Sequence, residues 1–157
     1  MLKRSIAALL LFALPTSVSA TELPTRQVLS LAAIKTMVAA SEAKAKELNV
    51  DVTICVVDDS ENLLFLEKPD AAALNTLQFC QKKAKDAAFY GSPSKDAEMT
   101  VKSGHTEAMA YPDFFPNQGG LPIRVNGKLL GGIAASGAKS EIDEAIAQAG
   151  LDTLSKP

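Results

Sequence analysis

Few side chains in this sequence could do chemistry, and the most distinctive of them stands alone. His105 is the only histidine, and Met109 and Tyr111 follow it, with Phe114 and Phe115 close behind. Pro112 and Pro116 prevent a long helix there, so the stretch is expected to be irregular. Imidazole, thioether and phenol are each able to ligate haem iron, and haem sites are commonly built from one such ligand in an apolar pocket. His105 is therefore the candidate metal ligand, with Met109 and Tyr111 as alternates. Lys82 and Lys85 are the basic groups able to reach a propionate, since lysine pairs with carboxylates as a point charge. A surface loop histidine is the competing reading, and composition alone favours it.

Other chemistries find less support. A Ser-His-Asp or Cys-His arrangement would have to use His105. Cys55 and Cys80 lie within apolar patterns, where thiols are inert. The sequence has no His-Glu-x-x-His, no clustered His/Cys set and no glycine-rich phosphate loop. Ser92-Pro93-Ser94-Lys95 matches Ser-x-x-Lys, but the Ser-Asp-Asn and Lys-Thr-Gly elements that accompany it are missing. Asp58-Asp59-Ser60-Glu61-Asn62 invites a calcium reading, yet it lacks the glycine and downstream glutamate of a calcium loop. Turn chemistry explains it. The expectation is a protein that binds rather than catalyses.

The chain opens Met1-Leu2-Lys3-Arg4, continues through the apolar run Ile6 to Leu14 and reaches Val18-Ser19-Ala20. These are the parts of a secretory signal peptide, and the run is about half of the ~20 residues a membrane span needs. Residues 1–20 are expected to be cleaved, leaving 21–157 as one domain, periplasmic or secreted, with no membrane span. Cleavage removes Lys3 and Arg4, so 16 bases and 18 acids become 14 and 18, and the net charge moves from −2 to −4. A mildly acidic chain whose one basic cluster is Lys82-Lys83-Lys85 is a poor nucleic-acid binder. Export would put both cysteines in an oxidising compartment. Two buried free thiols are the expectation, with a Cys55–Cys80 disulfide as the open alternative.

Elements must position these groups. Helical spacing of Leu31, Ile34, Val38 and Leu48 predicts a helix from about Val28 to Leu48, capped by Thr25 or Ser30 and ended by Asn49. Val50–Val57 reads as a central strand, apolar on both faces, paired through the acidic turn with Leu63–Lys68. Asp70 should cap a helix over Ala71–Tyr90, with Ala73, Leu77, Cys80, Ala84 and Ala88 inward and Lys82, Lys83, Lys85 and Asp86 on the remaining faces. Ser94 should cap a short helix to about Val101, and Ser140 a last one. Between them, Asn126-Gly127 predicts a type I′ hairpin whose second strand runs through Gly131, Gly132, Ala134, Ala135 and Ser136. Such small residues imply close packing of a helix, or room for a ligand. The resulting order predicts an α+β domain, an antiparallel sheet flanked by helices.

Four blocks in this order resemble a known family. They are Val56-Val57-Asp58; Lys82-Lys83-Ala84-Lys85-Asp86-Ala87-Ala88-Phe89 leading to Pro93-Ser94; Gly119-Gly120-Leu121-Pro122-Ile123; and Gly131 to Gly137 followed by Asp143-Glu144. The pattern is similar to the GlcG/HbpS family of haem-binding proteins, to which the C-terminal domain of PduO-type proteins is related. It spans about Thr25 to Leu154. The resemblance implies a profilin-like antiparallel sheet, homo-oligomers and binding of haem or a related tetrapyrrole. It also leaves a haem-free structural or sensory accessory role, or one in corrinoid handling or a glycolate operon. The chain departs from the usual pattern at Asp59-Ser60-Glu61-Asn62 and at Gly132-Ile133-Ala134-Ala135. No family ligand motif is carried over onto His105, whose candidacy rests on its chemistry.

Overall fold

The computed structural model describes residues 21–154; the expected signal peptide lies outside them. Helix α1 (Leu31–Glu47) starts three residues later than its apolar spacing suggests, because the Ser30 hydroxyl accepts the Ala33 N–H and fixes the start there. Asn49 closes it with φ 53°, the left-handed geometry that asparagine tolerates. Strands β1 (Thr53–Asp58) and β2 (Leu63–Glu67) form the first hairpin, and Asp58 accepts the N–H groups of Ser60 and Asn62 in its turn. Turn chemistry therefore accounts for the acids. Next come α2 (Thr76–Tyr90), α3 (Ser94–Lys102) and a 3-10 turn over Thr106–Ala110. Strands β3 (Gly120–Val125) and β4 (Lys128–Ser136) follow, then α4 (Ser140–Leu151).

The four strands form one antiparallel sheet in the order β2-β1-β4-β3, so β1 and β4 are central. Alternation along β1 divides the core. Ile54 and Val56 join Ile34, Met37, Ile133 and Ile146 on the face covered by α1 and α4. Cys55 and Val57 join Cys80, Ala84, Ala88 and Ala134 on the face covered by α2. The result is an α+β domain with helices on both sides of the sheet. Asn126 and Gly127 take φ 51° and 78°, as the type I′ turn requires.

The small residues of the second hairpin serve helix packing. A Cβ on Gly132 would come within 2.1 Å of the Ala84 carbonyl oxygen, and one on Gly120 within 2.1 Å of that of Lys83. Only glycine lets α2 lie this close to β3 and β4. Both cysteines are buried and free, and the single Cys80 S–H lies within donating reach of two carbonyls, Thr53 at 3.3 Å and Ala134 at 3.2 Å.

Three helix expectations need correction. Residues 71–75 form turns, with Ala72 N–H bonded to Pro69 and Thr76 N–H to Ala73, so α2 begins five residues later and Asp70 does not cap it. Ser94 is the first residue of α3, and its hydroxyl instead donates to the Asn117 carbonyl and accepts the Gly120 N–H. It ties the start of β3 to the helix. Ser140 likewise lies inside α4 and gives no side-chain cap. Among the described residues no helix is long and apolar enough to cross a membrane.

Candidate functional site

His105 immediately precedes the 3-10 turn and stands at the surface, its side chain 67% exposed. Its Nδ1 lies 3.0 Å from the Glu107 carboxylate. That carboxylate is held below its usual range, first by its own backbone N–H and then by His105. Anchoring Nδ1 on a carboxylate leaves Nε2 directed outward, the arrangement by which proteins orient an imidazole toward a metal. Met109 and Tyr111 are each 56% exposed on the same turn and its exit.

Beyond the turn the chain runs against α2 and builds an aromatic ridge. Tyr111 meets Phe114 edge-on, Phe114 meets Tyr90, and Tyr90 meets Phe89, with centroids 6.3, 5.9 and 5.0 Å apart. The Tyr90 hydroxyl donates to the Pro112 carbonyl at 2.7 Å, fixing the loop to the end of α2. Phe115 packs on Phe79, and the Lys82 ammonium lies 5.5 Å from the Phe115 centroid. Lys82, Asp113, Phe114 and Phe115 line a cavity of about 140 Å³. Lys85 is half-buried and acts on Glu61, whose carboxyl is pushed up by burial and by Asp113 while Lys85 opposes the rise.

The structure thus joins Tyr111 to Phe114 and Lys82 to Phe115. His105 and Met109 share the adjacent turn, and among the described residues no hydrogen bond or ring contact links His105 to the ridge. Among the described residues no cluster of three metal-ligating side chains is present, so a metal here would rest on few protein ligands. Haem, which brings four nitrogens of its own, needs only an axial ligand.

Two charged residues of α2 proved to be inward. Asp86 is buried, and its carboxylate accepts the Phe115 N–H at 2.9 Å, so it pins the ridge loop to the helix. Burial pushes its carboxyl from 3.8 up to about 7, with Asp96 and Asp113 adding to the rise and the Phe115 N–H opposing it. Lys83 is equally buried, paired at 2.8 Å with Asp143 of α4 across the end of the sheet. Sequence periodicity assigned both to solvent, because their partners lie 29 and 60 residues away. The sequence signal available was their place in the Lys82–Phe89 block and that of Asp143 in the last one.

Residues 29–152 match the family described as haem degrading protein HbpS-like. The chain belongs to the HbpS-like family. Protein GlcG of Escherichia coli K12 is 31% identical over 112 residues, covering 71% of this chain and 84% of GlcG. The fold superposes on a double mutant of Streptomyces reticuli HbpS with a TM-score of 0.79 at 26% identity, covering 92% of this chain and 99% of that one. A crystal structure of PduOC in complex with haem shares the fold, with a TM-score of 0.76 at 23% identity over 82% of this chain and 96% of that one.

Proposed function

We propose that the protein is an exported, non-catalytic binding protein for haem or a related tetrapyrrole, taken up at the His105 turn and the aromatic ridge. The observation that carries this reading is the His105–Glu107 pair, which holds an exposed imidazole at the head of the turn that carries Met109 and leads to Tyr111 and the ridge. Membership of a family described by haem degradation, and a haem complex of the structural neighbour PduOC, support the same ligand class. The ridge cavity, about 140 Å³, is smaller than the roughly 300–1,000 Å³ of pockets that enclose a ligand. A tetrapyrrole would therefore lie against the ridge rather than inside it. His105 would supply the axial bond, the aromatic side chains the apolar contact, and Lys82 a partner for a propionate. When bound, haem would contribute its iron as the Lewis-acidic centre.

Adding haemin to the purified protein tests this. A saturable Soret band displaced from that of free haemin is the expected result, and a spectrum equal to free haemin would refute the reading. Export is proposed from residues 1–20, with Thr21 as the mature N-terminus. Self-association is proposed from the edge strand β2, where Leu63 and Leu64 are 47% and 38% exposed. Light scattering after size exclusion should give a mass of at least two chains, and a monomer would overturn that part.

A further inference from the structure

The ridge loop is tied to α2 by a buried acid that has no counter-charge. Two hydrogen bonds hold the loop there: the Tyr90 hydroxyl donates to the Pro112 carbonyl at 2.7 Å, and the Phe115 N–H donates to Asp86 at 2.9 Å. Tyr111, Pro112 and Asp113 are exposed, whereas Asp86 is 1% exposed. The loop is therefore part of the cover over this carboxyl. Buried charges are ordinarily paired with an opposite charge. Among the described residues Asp86 has no ion pair, and the Phe115 N–H is its one hydrogen-bond partner.

The groups facing Asp86 add negative charge. Asp113 comes from the loop itself, in a left-handed conformation with φ 49°, and Asp96 from the first turn of α3. Glu61, on the β1–β2 turn, faces Asp113 in its turn. The cations of α2 are engaged elsewhere: Lys82 lies over the Phe115 ring, Lys83 pairs with Asp143, and Lys85 acts on Glu61. From the sheet, Val57, Gly132 and Ala134 bring no charge to α2, and Arg124 of β3 donates to the Gly91 carbonyl beyond the end of the helix. One turn on from Asp86, the Tyr90 phenol is occupied by Pro112. Ionising Asp86 in place therefore works against burial and two like charges, with one N–H to offset them. Burial is the largest cause, and the carboxyl rises from 3.8 to about 7.

A neutral Asp86 still accepts the Phe115 N–H through its carbonyl oxygen, so the tie holds while the carboxyl is protonated. An ionised Asp86 is relieved by reaching water, and the exposed loop is the part that can give way. The helix cannot, because Cys80, Ala84 and Ala88 fix it in the core against the sheet. Little else retains the loop: the Tyr90 hydroxyl, edge-on ring contacts, and Phe115 against Phe79. We propose that Asp86 is a proton-operated latch, holding loop 111–115 closed on α2 at acidic pH and letting it lift as pH rises through neutrality. Lifting parts Phe114 from Tyr90 and dismantles the ridge. A ligand held there would then be released at the higher pH. That consequence rests on the ridge being the ligand surface; the latch itself does not.

The chain supplies its own probe, since it has no tryptophan and its two tyrosines, Tyr90 and Tyr111, both belong to the ridge. The test follows the tyrosine band in near-ultraviolet circular dichroism of the ligand-free protein, with the far-ultraviolet signal recorded beside it. The range is about pH 5 to about pH 9, below the ionisation of a phenol at about 10, and burial raises Tyr90 further. Parent and variants all carry His105→Ala, because imidazole is the other side chain that titrates near neutrality. In the parent the tyrosine band should fall to about half or less in one step centred near pH 7, the far-ultraviolet signal staying constant. Asp86→Asn should abolish the step. Asp96→Asn, an exposed change that leaves the buried carboxyl in place, should move the step to lower pH. A band independent of pH in the parent, a step that survives Asp86→Asn, or a midpoint unmoved by Asp96→Asn would each overturn the latch. A far-ultraviolet change in the same step would overturn it too, as unfolding of the whole domain. No tetrapyrrole enters the measurement, so failure of the latch and failure of the ligand reading are told apart.

Discussion

At the scale of single residues, two buried charges on α2 determine how this protein should respond to solution conditions. Asp86 holds the Phe115 N–H, yet burial raises its carboxyl from 3.8 to about 7. A carboxyl raised on folding binds more protons in the native than in the unfolded state between those values, so its contribution to stability falls as pH rises from about 4 through 7. Asp86→Asn keeps an acceptor for Phe115 and removes the titration. It should be more stable than wild type at pH 8 and nearly equal at pH 4, with a difference of at most a few kcal/mol, one pKa unit being worth about 1.4 kcal/mol. Urea denaturation at the two pH values checks this; a gap that is the same at both would contradict it. For Lys83 and Asp143, Asp143→Asn leaves a buried ammonium without its counter-charge and should cost about 3–5 kcal/mol in the same assay. Neither burial was legible from the chain alone. Lysine and aspartate at those positions look like a solvated helix face until the partners, far away in sequence, fold against them.

The elements were more legible where local chemistry decides them. Asn126-Gly127 could hardly form anything but a tight hairpin, and the glycine- and alanine-rich strand after it did signal a helix lying close. What sequence left ambiguous was how helices begin, because Asp70, Ser94 and Ser140 are all plausible caps and none of them caps here. The Ser94 hydroxyl is used instead between the Asn117 carbonyl and the Gly120 N–H, a tertiary contact no local pattern encodes. The close approach of α2 gives a sharp test. Gly132→Ala would put a methyl 2.1 Å from the Ala84 carbonyl oxygen, so the helix must retreat. A loss of about 1–3 kcal/mol or more is expected by thermal denaturation, whereas unchanged stability would mean the packing is looser than described. The same interface seals the thiols. Burial raises the Cys80 thiol well above its usual range, with Cys55 adding to the rise. Native protein should therefore react slowly with a thiol reagent, and unfolded, unreduced protein should yield two thiols. Recovery of none would establish a Cys55–Cys80 disulfide instead.

In the whole molecule a three-layer scaffold, one antiparallel sheet between α1 and α4 on one face and α2 on the other, fixes an aromatic ridge that the His105 turn leads into. The antiparallel α+β arrangement was readable from the order of the periodic segments and the hairpin turns, and the family from the resemblance of four blocks, two of which supply the close contact of α2 with β3 and β4. The candidate site was less readable. His105, Met109 and Tyr111 are candidates by their chemistry, but Phe89 and Tyr90, at the end of α2, join the ridge only once Tyr90 reaches Pro112. Intact-mass measurement of exported protein should begin at Thr21, and retention of residues 1–20 would refute export with cleavage. The most direct test of the central claim is a haemin titration of His105→Ala beside the wild type, recording Soret position and affinity. Loss or displacement of the Soret band with clearly weaker binding is predicted. An unchanged band and affinity would contradict the claim that His105 supplies the axial bond.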